Sequence, residues 1–229
     1  MTIGLVLLAV IAILIFFGLA DKFFKNLGVA SWIGFVIALA LIIGAVIPNI
    51  TIGEGFVMNL GGFIVPIIGM IVLAAFIGWN WDLARMAFAE LSVAAVCVAT
   101  RVLILPDNTG MILAASLIVG FVGGTVAFLI GRSRLSTLAS VMGGVVLGDL
   151  IVNLIYVYGI GGYVFSMGTR GVFDSILIGC VFGILLLEAV VSARRATSNR
   201  RVANTSMNAE SGEDVTKDDF DDYFDDTIL

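Results

Sequence analysis

Long apolar runs broken by short polar strips are the plainest pattern along this chain. Seven runs stand out, over residues 3–20, 29–47, 60–79, 86–104, 111–130, 135–158 and 172–192. A helix needs about 20 mostly apolar residues to cross the hydrocarbon of a bilayer. Backbone groups there must be satisfied within the segment, so the runs predict helices. The expected fold is an all-α integral membrane protein. Seven transmembrane helices fill residues 1–192, and residues 193–229 form a disordered cytoplasmic tail, first basic and then acidic. The strip GYVFSMGTRGVFDS, residues 162–175, interrupts this pattern with glycines, hydroxyls, an arginine and an aspartate.

Composition agrees with the pattern. The chain of 229 residues is 60% hydrophobic and 13% charged, more apolar surface than a soluble globule of this size can bury. Its first partner is therefore the lipid bilayer. The absence of histidine removes His-based catalysis and the commonest zinc and haem ligands. Cys97 and Cys180 lie in apolar runs and read as small core residues. No phosphate-binding loop, dinucleotide glycine fingerprint or cysteine metal spacing is present, so no cofactor or metal is expected. Nucleic-acid binding has no support either.

Charge sets the expected orientation. With seven spans, ten basic residues fall on the side of the first loop and the C-terminus, and only Arg101 and Arg170 on the other. This bias predicts an outside N-terminus, a cytoplasmic C-terminus and an outward-facing 162–175 strip. Gly18-Leu19-Ala20 resembles a signal-peptide cleavage site, but no basic segment precedes the apolar run, which favours an uncleaved first helix. Nine of the seventeen acidic residues come after position 209. That end reads as a solubilising tail, or as a docking peptide for a cytoplasmic protein anchored by Phe220, Tyr223 and Phe224.

The 162–175 strip has an earlier echo. GFVMNLG at 55–61 matches GYVFSMG at 162–168 in three of seven positions, and GAVIPN at 44–49 shares Gly, Ile and Asn with GDLIVN at 148–153. The two offsets, 107 and 104 residues, differ by one short insertion. Stretches one to three and five to seven would then be parallel repeats, with the fourth restoring orientation between them. This three-plus-one-plus-three plan is similar to that of the sugar-transporting semi-SWEET and SWEET proteins, in plan only.

Ionisable groups at bilayer depth usually serve a purpose. Asp149 lies within the sixth run, and Asn153, four residues on, shares its helix face. Asp174 begins the seventh run beside Ser175, where it suits a helix N-terminus. Asn59 and Ser166 belong to the two outward strips. Together Asp149, Asn153, Ser166, Asp174 and Asn59 are the candidate lining of a solute or ion pathway. Glu188 is expected to reach Arg194 or Arg195, and Arg101 and Arg170 to pair with Asp174, Asp107 or Glu54. Glu90 is left without an assignment. Gly120/Gly124, Gly144/Gly148 and Gly179/Gly183 give a GxxxG in each of the last three runs, which predicts a tightly packed C-terminal trio.

GDLIVN followed by SMGTRGVFDSILIG resembles the C-terminal signature of an uncharacterised prokaryotic membrane-protein family, domain of unknown function 1614. That family has a Gly-x-Asp-Leu element, then Ser-Ile-Gly-Gly-x-Gly-x-Phe-Asp-Gly-Ile, and an Asn-x-Gly-Gly element like Asn59-Leu60-Gly61-Gly62. The matching positions are Asp149, Leu150, Ser166, Gly168, Gly171, Phe173, Asp174 and Ile176. Here Asp149 directly follows Gly148, Arg170 stands at a small-residue position and Ser175 replaces a glycine. The resemblance implies a multi-pass protein of a prokaryotic cell membrane and carries no activity with it.

Three functional classes fit these features. The first is a small transporter or permease for a polar or anionic solute or an ion, with Asp149 in its pathway. The second is a scaffold or regulatory subunit acting through the tail. The third is an intramembrane aspartyl hydrolase using Asp149 and Asp174, since GVVLGD faintly resembles the Gly-x-Gly-Asp element of presenilin-type and prepilin proteases; here a leucine precedes Gly148 and the first glycine is missing.

Overall fold

The computed structural model describes residues 10, 43, 47, 49–52, 55–104, 108–160, 164–169 and 171–210. Five helices among them are long and apolar enough to cross a membrane. They are α1 (Val65–Ile77), entered through a π-helical turn at Leu60–Ile64; α2 (Trp81–Leu103); α3 (Thr109–Gly131); α4 (Arg134–Leu154), extended by a π-helical stretch at Ile155–Ile160; and α5 (Val172–Glu210). This is the architecture of a multi-pass membrane protein. Apart from residues 10, 43 and 47, the expected helices at 3–20 and 29–47 fall outside the described residues, as do Glu54, Asp107, Arg170 and the acidic end after Glu210.

Local chemistry explains where the helices start and stop. Asn59 caps the π-helical turn by accepting a bond from the Gly62 amide, and Pro66 follows at the start of α1, where a missing N–H is harmless. Asn108 caps α3 through the Met111 amide, and Ser133 caps α4 through the Ser136 amide. Gly78 at φ 74° ends α1, and Arg132 at φ 57° ends α3. These tight reversals bring the 78–80 and 132–133 turns to one end of the bundle. Arg85, Arg132, Arg134 and Arg194 gather at this arginine end, with Trp79 and Trp81 exposed beside them.

The opposite end carries structure that the all-α expectation lacks. Strands β1 (Ile50–Ile52), β2 (Phe56–Met58) and β3 (Phe165–Met167) form a small sheet in that order. β1 and β2 are an antiparallel hairpin, and β2 pairs in parallel with β3, Val57 opposite Ser166. Phe56 and Phe165 stack at 5.3 Å across the parallel pair. The two strips that echo each other in sequence are therefore hydrogen-bonded neighbours. Their backbones also meet where Gly62 faces Gly168, and a Cβ at Gly168 would lie 2.7 Å from the Gly62 carbonyl carbon.

α4 is the most enclosed of the five spans. Its valines Val141, Val145 and Val146 form the core with Val93 of α2, Val119 of α3 and Ile176 of α5. The glycine pairs bring helices together two by two. Gly120 and Gly124 of α3 cross Gly179 and Gly183 of α5, and a Cβ at Gly124 would lie 2.6 Å from the Gly179 carbonyl. Gly144 and Gly148 of α4 turn to α2 instead, against Val93, Ala94 and Cys97. The expected single trio is thus two glycine-lined interfaces. The outer faces of the helices remain apolar, with Phe88, Leu91, Leu129 and Leu185 exposed as lipid would require.

α5 does not stop at the membrane boundary. Residues 193–210, expected to be disordered, continue the same helix. Neither glycine nor proline interrupts the chain between Gly183 and Gly212, so nothing breaks the backbone ladder where the charges begin.

Candidate functional site

The polar residues picked out along α4 converge at the sheet end. Asp149 and Arg101 form an ion pair 3.1 Å long, with side chains only 3% and 5% exposed. α2 and α4 are held in register there by Gly148, whose missing side chain lets the Cys97 side chain close in. The second carboxylate oxygen of Asp149 accepts a bond from the Gly168 amide at 2.9 Å. Gly168 sits at φ 70° and Gly171 at φ 81°, a backbone turn that glycine adopts without strain. The carboxylate therefore ties three things together: α2 through Arg101, α4 through its own backbone, and the β3 strip through Gly168.

Asn153 extends this network by one helical turn. Its amide nitrogen donates to the Asp149 carbonyl at 2.8 Å, and its amide oxygen accepts from the Ser166 backbone at 3.0 Å. Tyr156 adds a bond from its hydroxyl to the Arg101 carbonyl at 3.1 Å. Asn153, Ser166 and Asp149 are all buried. The Arg101 Nε and the Ser166 hydroxyl are themselves buried and have no hydrogen-bond partner among the described residues.

Asn59 stands in the neighbouring strip. Besides capping the π-helical turn, its side chain donates to Asn49 at 2.9 Å, and its backbone amide donates to Met167. Asp174 is buried in the first turn of α5. Ser175 beside it donates to the Gly171 carbonyl at 2.9 Å, and Ser116 of α3 donates to the same oxygen.

Two ionic expectations change. Arg101 pairs with Asp149 and, among the described residues, not with Asp174; Asp107 and Glu54 lie outside the described residues. Glu188 reaches Arg134 across the α4–α5 interface at 2.7 Å rather than Arg194; the Arg195 side chain lies outside the described residues. Sequence spacing missed both because each pair joins different helices. Arg101 and Tyr156 are the site residues that sequence reasoning did not place. The signal for Arg101 was available, since it is one of only two basic residues on its expected side of the membrane.

Cys97 and Cys180 are free and buried, as expected of core residues. No cluster of metal-ligating side chains occurs among the described residues. Both oxygens of Asp149 are engaged by a cation and an amide, an arrangement that differs from the shared proton of an aspartyl dyad. No family model, curated protein or solved structure matches this chain, so the resemblance noted above rests on its quoted motif alone.

Proposed function

We propose that this protein is a small permease of a prokaryotic cell membrane, passing a polar or anionic solute or an ion. On this reading the Asp149–Arg101 pair closes the sheet end of the pathway. The observation that carries the proposal is the placement of that pair. Burying two charges costs several kcal/mol per ion before their attraction offsets it, and well-packed apolar residues often serve stability equally well. A charge pair inside a membrane domain, bonded to the backbone of a non-helical strip, suits an element that must separate and reform. Non-helical backbone at membrane depth belongs next to protein or a watered cavity.

A parallel repeat supports the same reading. The two strips pair with each other at one end of the bundle, as parallel repeats require and inverted repeats would forbid. The matched asparagines both accept from the strip beside them: Asn49 Oδ1 from the Asn59 side chain, and Asn153 Oδ1 from the Ser166 backbone amide. The concentration of arginines at the opposite end favours a cytoplasmic C-terminus, with the sheet end outside.

The test uses proteoliposomes loaded with a panel of small organic anions, amino acids and sugars. Efflux is compared for wild type, Asp149→Asn and the double variant Arg101→Met with Asp149→Leu. Wild type is expected to release one solute class faster than protein-free vesicles, and both variants to lose that release. A folded double variant that still moves the solute at the wild-type rate would reduce the pair to a packing element and overturn the proposal.

A further inference from the structure

Glu90 is the charged residue that the network at the sheet end does not absorb. It lies nine residues into α2 from Trp81, about 14 Å along the helix axis, close to the middle of a hydrocarbon layer about 30 Å thick. Its side chain is half-buried and crosses to α4, where it rests on Gly143. A Cβ at Gly143 would lie 2.7 Å from the Glu90 carboxyl carbon, so the glycine makes the space that the carboxyl occupies.

No opposite charge meets it there. The Glu90 carboxyl makes no hydrogen bond or ion pair among the described residues. α1 and α3 contain no charged residue at all. The charged residues of α4 are Arg134 and Asp149, the first paired with Glu188 and the second with Arg101. On α2 itself, Asp82 and Arg85 pair with each other near the arginine end. In α5, Asp174 lies at the far end and Glu188 beside Arg134. The two apolar runs before residue 48 hold no charged residue in the sequence.

A carboxylate alone in hydrocarbon is costly, and it is relieved by binding a proton or a small cation. Lipid supplies no cation at this depth, whereas a single proton needs no ligand shell. We propose that Glu90 is a proton-binding site within the membrane; on the permease reading above, it is where the coupling proton binds. Asp149 was the natural candidate in sequence, but its charge is already matched by Arg101. Glu90 is the carboxyl free to gain and lose a proton without stranding a partner.

The test is independent of any transported solute. N,N′-Dicyclohexylcarbodiimide partitions into lipid and adds to protonated carboxyls. The acid proton moves to a carbodiimide nitrogen, the carboxyl oxygen bonds to the central carbon, and nothing leaves. Full-length protein in lipid vesicles is treated with the reagent and the adduct is located by peptide mass mapping. The expected result is one adduct at Glu90, absent in Glu90→Gln, retained in Asp149→Asn and weakened as the pH is raised. Infrared difference spectra across the same pH range should show a protonated-carboxyl band that Glu90→Gln removes. Wild-type protein without an adduct at Glu90, or with the adduct on another acid instead, overturns the proposal. That outcome leaves the permease reading standing, while labelling without transport of any solute would sink the permease reading and keep the proton site.

Discussion

Two carboxyls inside the membrane, Asp149 and Glu90, have opposite surroundings. Asp149 lies near the sheet end with one oxygen on Arg101 and the other on a backbone amide. Glu90 lies near the middle of α2 with neither a cation nor a hydrogen-bond donor among the described residues, on a glycine that leaves it room. The contrast teaches that an acid in a membrane helix is not one kind of object. Asp149 is part of a structural knot that fixes where α2, α4 and the β3 strip meet. Glu90 rests on Gly143 with no charge partner among the described residues, and on the proposal above it keeps its chemistry available.

The largest expected effect breaks the knot. Asp149→Asn or Arg101→Gln leaves one buried charge without its partner and should lower unfolding stability by about 3–5 kcal/mol, read by thermal or chemical unfolding in detergent micelles. Replacing both residues by leucine and methionine should restore most of that loss, because no unpaired charge then remains. Glu90→Gln provides the opposing case, considered last because its effect is smallest.

The second largest effect concerns the helix crossing that supports the knot from behind. Gly124→Ala puts a methyl group 2.6 Å from the Gly179 carbonyl and should cost about 1–3 kcal/mol in the same unfolding assay. An unchanged midpoint would mean that α3 and α5 do not cross as described. Asn59→Ala removes the cap of the π-helical turn and should cost about 1 kcal/mol. Hydrogen exchange should localise that loss to residues 60–64, with the Gly168 amide staying protected. Glu90→Gln should change stability by about 0.5 kcal/mol or less, since no partner is stranded. A loss there as large as that of Asp149→Asn would erase the distinction between the two carboxyls.

Sequence reasoning found the helices more readily than their relations. Apolar runs marked five spans to within a few residues, because a bilayer imposes length and hydrophobicity on each segment separately. Apart from the end of α5, expected at residue 192 and found at Glu210, the largest shift was at the start of α2, expected at residue 86 and found at Trp81. Asp82 and Arg85 lower the hydropathy of that turn, yet they form an ion pair at its surface. The strands were hidden because ITI, FVM and FSM are only three residues long, and β2 finds its partner more than 100 residues away.

The site was legible in its members and illegible in its wiring. Asp149, Asn153 and Ser166 were chosen as polar residues at membrane depth, and they do share one network. Arg101 escaped because a pair 48 residues apart on different helices leaves no periodic trace. The glycine spacings announced close approach but could not say which helix would approach. In α4 they face α2, which turns Gly148 toward Cys97 and brings Asp149 to Arg101. Charge misled in α5, where a run of arginines and polar residues without glycine or proline remains helical to Glu210.

The most direct test of the knot is a double-mutant cycle on Arg101→Gln and Asp149→Asn, followed by unfolding stability in micelles. The pair is predicted to be coupled by about 2 kcal/mol, so that the double variant is clearly more stable than the two single losses would add up to. Losses that add within about 0.5 kcal/mol would contradict it and show that Arg101 and Asp149 act independently.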